Sequence, residues 1–271
     1  VGQIIGHDAC GQKVETEERV AMIPTIFCGA CKYCLNGKPH LCERRKTMGF
    51  STDGFFAEHI AIPRKNLLNI PNDVSNEEAA ILEPVALAIH TFDVLQPRLG
   101  EWATIIGQGP IGLLMTQVAK LQGCRVIAVD LEDYRLKLSE RYGAELCINA
   151  KEEDPIKQVK EVTEGGSDMV VEAAGRKETV EQTPFLVRSA GRVALIGESE
   201  GYLNLGQVGE AIFFSGYLSP LKYPIALDFI SRRVVEVKSL ITHRFRLAEF
   251  EEAIQTAADP TKNPIKVILT R

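Results

Sequence analysis

WATIIGQGPIGLLMTQVAKLQGCRVIAVD, residues 102 to 130, sets a turn of three glycines between apolar runs of different period. WATIIG reads as a buried strand, PIGLLMTQVAKLQG carries its apolar residues at helical spacing, and RVIAVD reads as a second strand. Gly107, Gln108, Gly109, Pro110, Ile111 and Gly112 follow the G-x-G-x-x-G spacing in that context. Gly107 allows the tight turn, Gly109 lets the backbone approach a pyrophosphate, and Gly112 lets helix and strand pack closely. Pro110 suits the first helical position, beside Ile111, where the helix N-terminus attracts phosphate. Asp130, ending the second strand, would accept hydrogen bonds from the hydroxyls of an adenosine ribose. With Glu132 and Asp133 it would repel a 2′-phosphate, which favours NAD over NADP, while Arg135 nearby softens that repulsion.

Outward from this unit the alternation continues. YRLKLSERYG reads as a helix, and DMVVEAAG, GRVALIGE and AIFFSGY supply further apolar strands, with helical stretches before the first two. Strands alternating with helices imply an α/β fold with a parallel, doubly wound sheet. After about residue 220 come a helix ending near Arg233, then LITHRF, the amphipathic LAEFEEAIQTAAD and a closing strand KVILT. The first third differs: RVAMIPT, FFAEHIAIP and NLLNIP read as short strands among Gly, Pro and Asn. From Ser75, a capping box with Glu78 opens the helical pattern of AAILEPVALAIHTFDVL.

The chain has 271 residues and a formal charge of −5, with a pI near 5.7. An acidic chain whose longest basic block is ERRK (43–46) has no patch for nucleic acid or an anionic membrane. No apolar run approaches the ~20 residues that span a bilayer, and the first residues carry no signal-peptide pattern, so a cytoplasmic location is expected.

Seven cysteines also suit a reducing compartment, and four of them lie in FCGACKYCLNGKPHLC (27–42) as Cys28, Cys31, Cys34 and Cys42. Four thiolates at such short spacing can close a tetrahedral zinc site with no position left for substrate, which is a structural arrangement. Free core thiols or redox cysteines are the alternatives, and the polar residues between them make a poor core. His40 is a further potential ligand in a shell that four cysteines already fill. Two other places hold reactive groups in unusual company. GHDACG sets His7 and Asp8 among glycines, and ILEPVALAIH sets Glu83 before Pro84, where the helix is expected to break and an acid amid aliphatic residues needs a partner.

Together, GHDACG, the four-cysteine lobe, DGFFAEHI, LEPVALAIH, GQGPIG, VIAVD, VVEAAG, GRVALIG, ITHRF and KVILT resemble the zinc-containing medium-chain alcohol dehydrogenases. The likeness is strongest to the sorbitol (polyol), threonine and butanediol dehydrogenase branch. It implies a β-rich GroES-like catalytic domain, split in sequence over 1–85 and 220–271 with its structural zinc lobe at 27–43. A Rossmann NAD-binding domain would occupy 86–219. By position the resemblance implies catalytic zinc ligands at His7 and Glu83, with Asp8 in the place of the family's usual glutamate, and structural zinc at Cys28, Cys31, Cys34 and Cys42. Backbone groups around Ile196 and Glu198 would meet the nicotinamide amide, Leu87 would lie against its ring, and Lys266 would reach the pyrophosphate. The implied activity is NAD-dependent oxidation of a small-molecule secondary alcohol (a polyol, a vicinal diol or a β-hydroxy amino acid) in a homodimer or homotetramer. The alternatives are a nucleotide-binding scaffold or sensor of the same fold that has lost the catalytic zinc, or a zinc-free quinone or enoyl reductase. The family's first catalytic ligand, a cysteine upstream of the GHE-like motif, and the Ser or Thr after it have no counterpart in the six residues before His7. GHDACG also passes to QKVETEERVAM with few residues for the expected barrel strands. A chain discontinuity near residues 10 to 12, wider than the ~3.8 Å between successive Cα atoms, is therefore expected.

Overall fold

A computed structural model describes residues 2–207, 209–216 and 218–271. It divides into two compact units, Val1–Leu87 with Leu218–Arg271, and Ala88–Tyr217. The first unit contains β1 (Ala9–Gln12), β2 (Arg19–Met22), β3 (Thr25–Ile26), α1 (Lys32–Leu35), β4 (Lys46–Thr47), β5 (Leu67–Asn69) and α2 (Asn76–Ala79). Helix α3 (Leu82–Leu95) contains the boundary between the units.

The expected discontinuity at residues 10 to 12 is absent. These residues form β1, paired antiparallel with β2 from Ala9↔Met22 to Gln12↔Arg19. A tight turn replaces the longer excursion: Lys13 N–H donates to Glu18 O at 3.0 Å, Glu17 N–H donates to Lys13 O at 2.8 Å, and Glu17 takes a left-handed φ of 57°. β5 completes an antiparallel sheet of order β1-β2-β5. FFAEHIAIP (55–63), expected as a strand, is irregular instead. Its first two N–H groups go to Gly6 O and Ile5 O, in a segment that itself forms no strand. The helix break expected at Glu83 falls earlier, at Ala80 and Ile81. Pro84 then lies in the first turn of α3, where a backbone N–H has no partner to lose. The Ser75 capping box is formed, with Glu78 N–H on Ser75 Oγ and Ser75 N–H on Glu78 Oε2.

In the second unit the chain alternates through β6 (Trp102–Ile106), α4 (Pro110–Leu121), β7 (Arg125–Asp130), α5 (Asp133–Arg141) and β8 (Leu146–Asn149). It continues through α6 (Pro155–Val162), β9 (Ser167–Glu172), α7 (Lys177–Leu186), β10 (Val187–Leu195) and β11 (Ile212–Ser215). Among the described residues the sheet runs β11-β10-β9-β6-β7-β8, with every neighbouring pair parallel. β8 has no counterpart in the sequence reading because its four residues, LCIN, are too short for a period to register. Tyr217, at the end of AIFFSGY, lies outside the described residues. Ile106, Ile127, Val129, Ile148, Val159, Val170, Leu186 and Val193 form a buried cluster on this sheet. Each contributes roughly 1.5–3 kcal/mol relative to an exposed side chain. The order of strands reverses between β6 and β9, and the crevice at the carboxyl ends there is where this fold class binds ligands.

The chain returns to the first unit through α8 (Tyr223–Ser231), β12 (Ile241–Arg246), α9 (Phe250–Ala258) and β13 (Lys266–Thr270), with β12 and β13 paired in parallel. Polar ties join the two sequence halves of this unit. Ser231 Oγ donates to Asp73 Oδ2 at 2.6 Å, Arg233 pairs with the Glu78 carboxylate, and Arg244 forks onto Glu77 at 2.6 and 2.8 Å. No helix of the described residues is long and apolar enough to cross a membrane.

A Cβ added at Gly112 would lie 1.7 Å from Gly107 O. Gly112→Ala is expected to cost about 1–3 kcal/mol, seen as a lower urea midpoint with an unchanged m-value.

Candidate functional site

The glycine turn joins β6 to α4. Gly107 holds φ +88°, and a Cβ there would meet Ala174 N at 2.7 Å. Gly109 caps α4 in an extended conformation, and a Cβ on it would stand in open space. The turn thus offers unfilled room beside the backbone N–H groups that open a helix, with Pro110 and Ile111 in its first turn, which suits a pyrophosphate. Asp130 is buried at the end of β7 and gathers donors: Gln108 N–H on Oδ2 at 2.5 Å, and Leu131 and Glu132 N–H on Oδ1 at 2.8 and 2.9 Å. Arg135 Nη1 is 3.9 Å from Asp130 Oδ2, and its Nε donates to Tyr134 at 2.9 Å. Ile196 and Glu198 follow β10, where a Cβ on Gly175 would come within 3.2 Å of Glu198 O. Gln108 was not legible as a site residue. Its buried amide donates to Ile105 O and accepts from Thr116 and Ser139 hydroxyls at 3.0 and 2.9 Å, fixing the turn to α4 and α5. Nothing in a variable motif position marks such a hub in sequence.

In the first unit, β3 and β4 pair at the base of the cysteine loop. The four Sγ atoms of Cys28, Cys31, Cys34 and Cys42 lie within 4.8 Å of one another, with 3.9 Å between Cys28 and Cys34 and 3.6 Å between Cys31 and Cys34. Zinc–sulfur bonds of about 2.3 Å in a tetrahedron require S···S edges of about 3.8 Å, so the separations fit a zinc ion and are far too long for disulfides. Ala30 and Cys31 N–H groups on Cys28 Sγ, both at 3.4 Å, draw that thiol down to about 6. Burial pushes Cys34 up to about 11, a cost that a metal replacing the proton would remove.

His7, Asp8 and Glu83 form the second cluster, each offering a ligand atom within 4.8 Å of the others. Glycines place the segment before His7: a Cβ on Gly49 or Gly54 would lie 2.4 or 2.3 Å from Gly6 O, and Gly6 itself holds φ +91°. Hydrogen bonds from Gly54, Phe55 and Phe56 N–H to Ile4, Gly6 and Ile5 carbonyls complete the clamp. His7 Nε2 lies 3.6 Å from Asp8 Oδ1, and its ring meets Phe50 at 4.9 Å between centroids. Glu83 comes from the first turn of α3. Burial, then the Asp8 charge, pushes its carboxyl up to about 8. Asp8 Oδ2 accepts Lys266 Nζ at 2.7 Å, but buried Asp8 Oδ1 accepts no hydrogen bond. Two crowded acids and a histidine nitrogen, with one carboxylate oxygen orphaned, fit a divalent cation, which would offset the burial of the Glu83 charge. Lys266, at the start of β13, keeps a raised pKa although burial opposes its charge, because Asp8 and then Glu83 stabilise the ammonium. Leu87 is the last residue of the first unit, on α3. Tyr223, absent from the sequence reading, is fully buried with an unbonded hydroxyl, and burial with the charges of Glu83 and Asp8 raises its pKa well above the usual phenol value.

Residues 1–72 match the model of the alcohol dehydrogenase GroES-like domain, and residues 110–231 match that of the zinc-binding dehydrogenases. The L-threonine 3-dehydrogenase of Bacillus subtilis (strain 168) is 32% identical over 270 residues, covering 93% of this chain and 78% of the relative. The chain belongs to the zinc-type medium-chain alcohol dehydrogenases. The sorbitol dehydrogenase of Halalkalibacterium halodurans is also 32% identical, over 98% of this chain and 82% of its own. A solved structure of RspB from Escherichia coli CFT073, named a short chain alcohol dehydrogenase and complexed with NADH, superposes with a TM-score of 0.90. It is 30% identical, and 99% of this chain and 84% of that chain are covered. The protein is thus an oxidoreductase of the NAD(P)-dependent alcohol dehydrogenase type, with a Rossmann sheet and a GroES-like domain.

Removing either cluster should release zinc independently. Cys31→Ser is expected to lower zinc by one ion per chain and Glu83→Gln by one other, measured by elemental analysis of dialysed protein; equal zinc in Glu83→Gln and the parent would exclude Glu83 as a ligand.

Proposed function

We propose that the chain transfers a hydride from a secondary alcohol, of the polyol, vicinal diol or β-hydroxy amino acid class, to NAD, using one structural and one catalytic zinc. The observation that carries this reading is the His7, Asp8 and Glu83 cluster with its orphaned Asp8 Oδ1, in a family that oxidises alcohols. When bound, zinc supplies Lewis acidity that lowers the pKa of an alcohol hydroxyl, and the nicotinamide supplies the hydride acceptor. His7 and Glu83 would hold the ion, with Asp8 beside them. Lys266 offsets the Asp8 charge, so the second acid does not stand uncompensated. The Tyr223 ring is buried beside the acids, whose charges raise its pKa.

NAD is favoured over NADP by the placement of charge after β7. Asp130 would be met by a 2′-phosphate together with Glu132 and Asp133, while Arg135 is already engaged by Asp130 and Tyr134. The Lys266–Asp8 pair also gives the scaffold reading a specific basis, because the ammonium partly satisfies the cluster without metal.

Polyols, vicinal diols and L-threonine are expected to drive NADH formation that chelation abolishes and zinc restores. NAD binding without turnover on that panel, with one zinc per chain, would instead establish the scaffold. Asp130→Ser is expected to raise the KM for NAD about tenfold, from the loss of charge-assisted ribose contacts, and to lower that for NADP; an unchanged NAD to NADP ratio would count against the assignment of Asp130.

A further inference from the structure

Glu172, the last residue of β9, is completely buried and belongs to neither the glycine motif nor a metal cluster. Its Oε1 accepts three hydrogen bonds, from Ala174 and Gly175 N–H, both at 2.9 Å, and from Thr179 Oγ1 at 2.7 Å. Its backbone carbonyl accepts two more, from Ile196 N–H at 2.8 Å and Gly197 N–H at 3.1 Å. One residue thereby fastens the turn after β9 to the segment after β10. The packing leaves little freedom: a Cβ on Gly197 would lie 2.3 Å from Gly175 N and 2.8 Å from Glu172 Oε2. Ala174, held by Glu172, is also the residue against which Gly107 packs.

These contacts lie at the carboxyl ends of β6, β9 and β10, beside the reversal of strand order. Asp130 marks the ribose end of a dinucleotide on the β7 side of β6, so the other end of the cofactor extends toward β9 and β10. We propose that Glu172 is a positioning residue for the nicotinamide half of the cofactor: three hydrogen bonds to its side chain set the turn at Ala174 and Gly175 against the Ile196–Glu198 segment, which is anchored on its backbone carbonyl by two more. The inference rests on the reading of this unit as a nicotinamide-cofactor site. A merely structural acid would affect all ligands of the unit alike. A positioning acid acts selectively, and it acts through its acceptor oxygen, so an amide should replace it. Oε2, which accepts no hydrogen bond, is the atom that glutamine exchanges for nitrogen.

The test compares NADH with ADP-ribose, which keeps the adenosine ribose and pyrophosphate but lacks nicotinamide, on the full chain by calorimetry or fluorescence. Glu172→Ala is expected to weaken NADH about tenfold, as lost hydrogen bonds would, and ADP-ribose less than about twofold. Glu172→Gln should recover most of the NADH affinity. Equal losses for the two ligands, no loss for either, or a failure of glutamine to rescue would overturn the assignment. Should Glu172→Ala not fold, Thr179→Val removes one donor to Oε1, together with its 2.9 Å contact to Arg176 O, and leaves the Ala174 and Gly175 N–H groups on Oε1; an unchanged NADH to ADP-ribose affinity ratio would then overturn it. Parent protein that binds neither ligand would refute the cofactor reading itself, an outcome distinct from failure of the Glu172 role.

Discussion

The carbonyl of Gly107 occupies the space where a side chain on residue 112 would begin. That contact brings the start of α4 against the end of β6, and the arrangement of the nucleotide unit follows from it. Because α4 starts so close to the strand, its first N–H groups open beside Gly109, and Gln108 N–H reaches the carboxylate that ends β7. The apolar cluster stabilises the sheet, but the glycines decide what the sheet can hold at its carboxyl edge.

The first unit is governed by a different constraint, the accommodation of negative charge. Asp8 and Glu83 approach each other under burial that raises the Glu83 pKa, and a single ammonium, Lys266, is bonded to only one of them. Such a group of acids is tolerable where something positive completes it, and the Lys266 ammonium does so for Asp8. The cysteine lobe solves a similar problem locally, with N–H groups turned toward sulfur and a short strand pair at the base of the loop.

Much of this was legible in the residues because some patterns carry their own geometry. The helix and strand periods of residues 102–130 admit one supersecondary reading, and closely spaced cysteines can reach one tetrahedron without long-range information. What was illegible depended on tertiary contact. FFAEHIAIP has the composition of a strand but faces a segment that forms none; β8 is too short to show a period. The Gln108 hub, Tyr223 beside the acids and the Lys266–Asp8 pair each join positions distant in sequence, and no local pattern announces such pairs. The helix break lies earlier for a simpler reason: Pro84 falls in the first turn of α3, where its missing N–H costs no intrahelical hydrogen bond, so the helix begins across Glu83 instead of ending there.

Asp8 and Lys266 are 258 residues apart, yet their bond lies within one compact unit. The second unit, by contrast, is contiguous from Ala88 to Tyr217. During synthesis the nucleotide-binding unit can therefore finish while the other half-made unit still waits for its last strand. Until β13 emerges from the ribosome, Asp8 lacks the Lys266 ammonium that it binds. The order of events is written into the connectivity: the cofactor platform comes first, and the acid cluster gains its ammonium only after it.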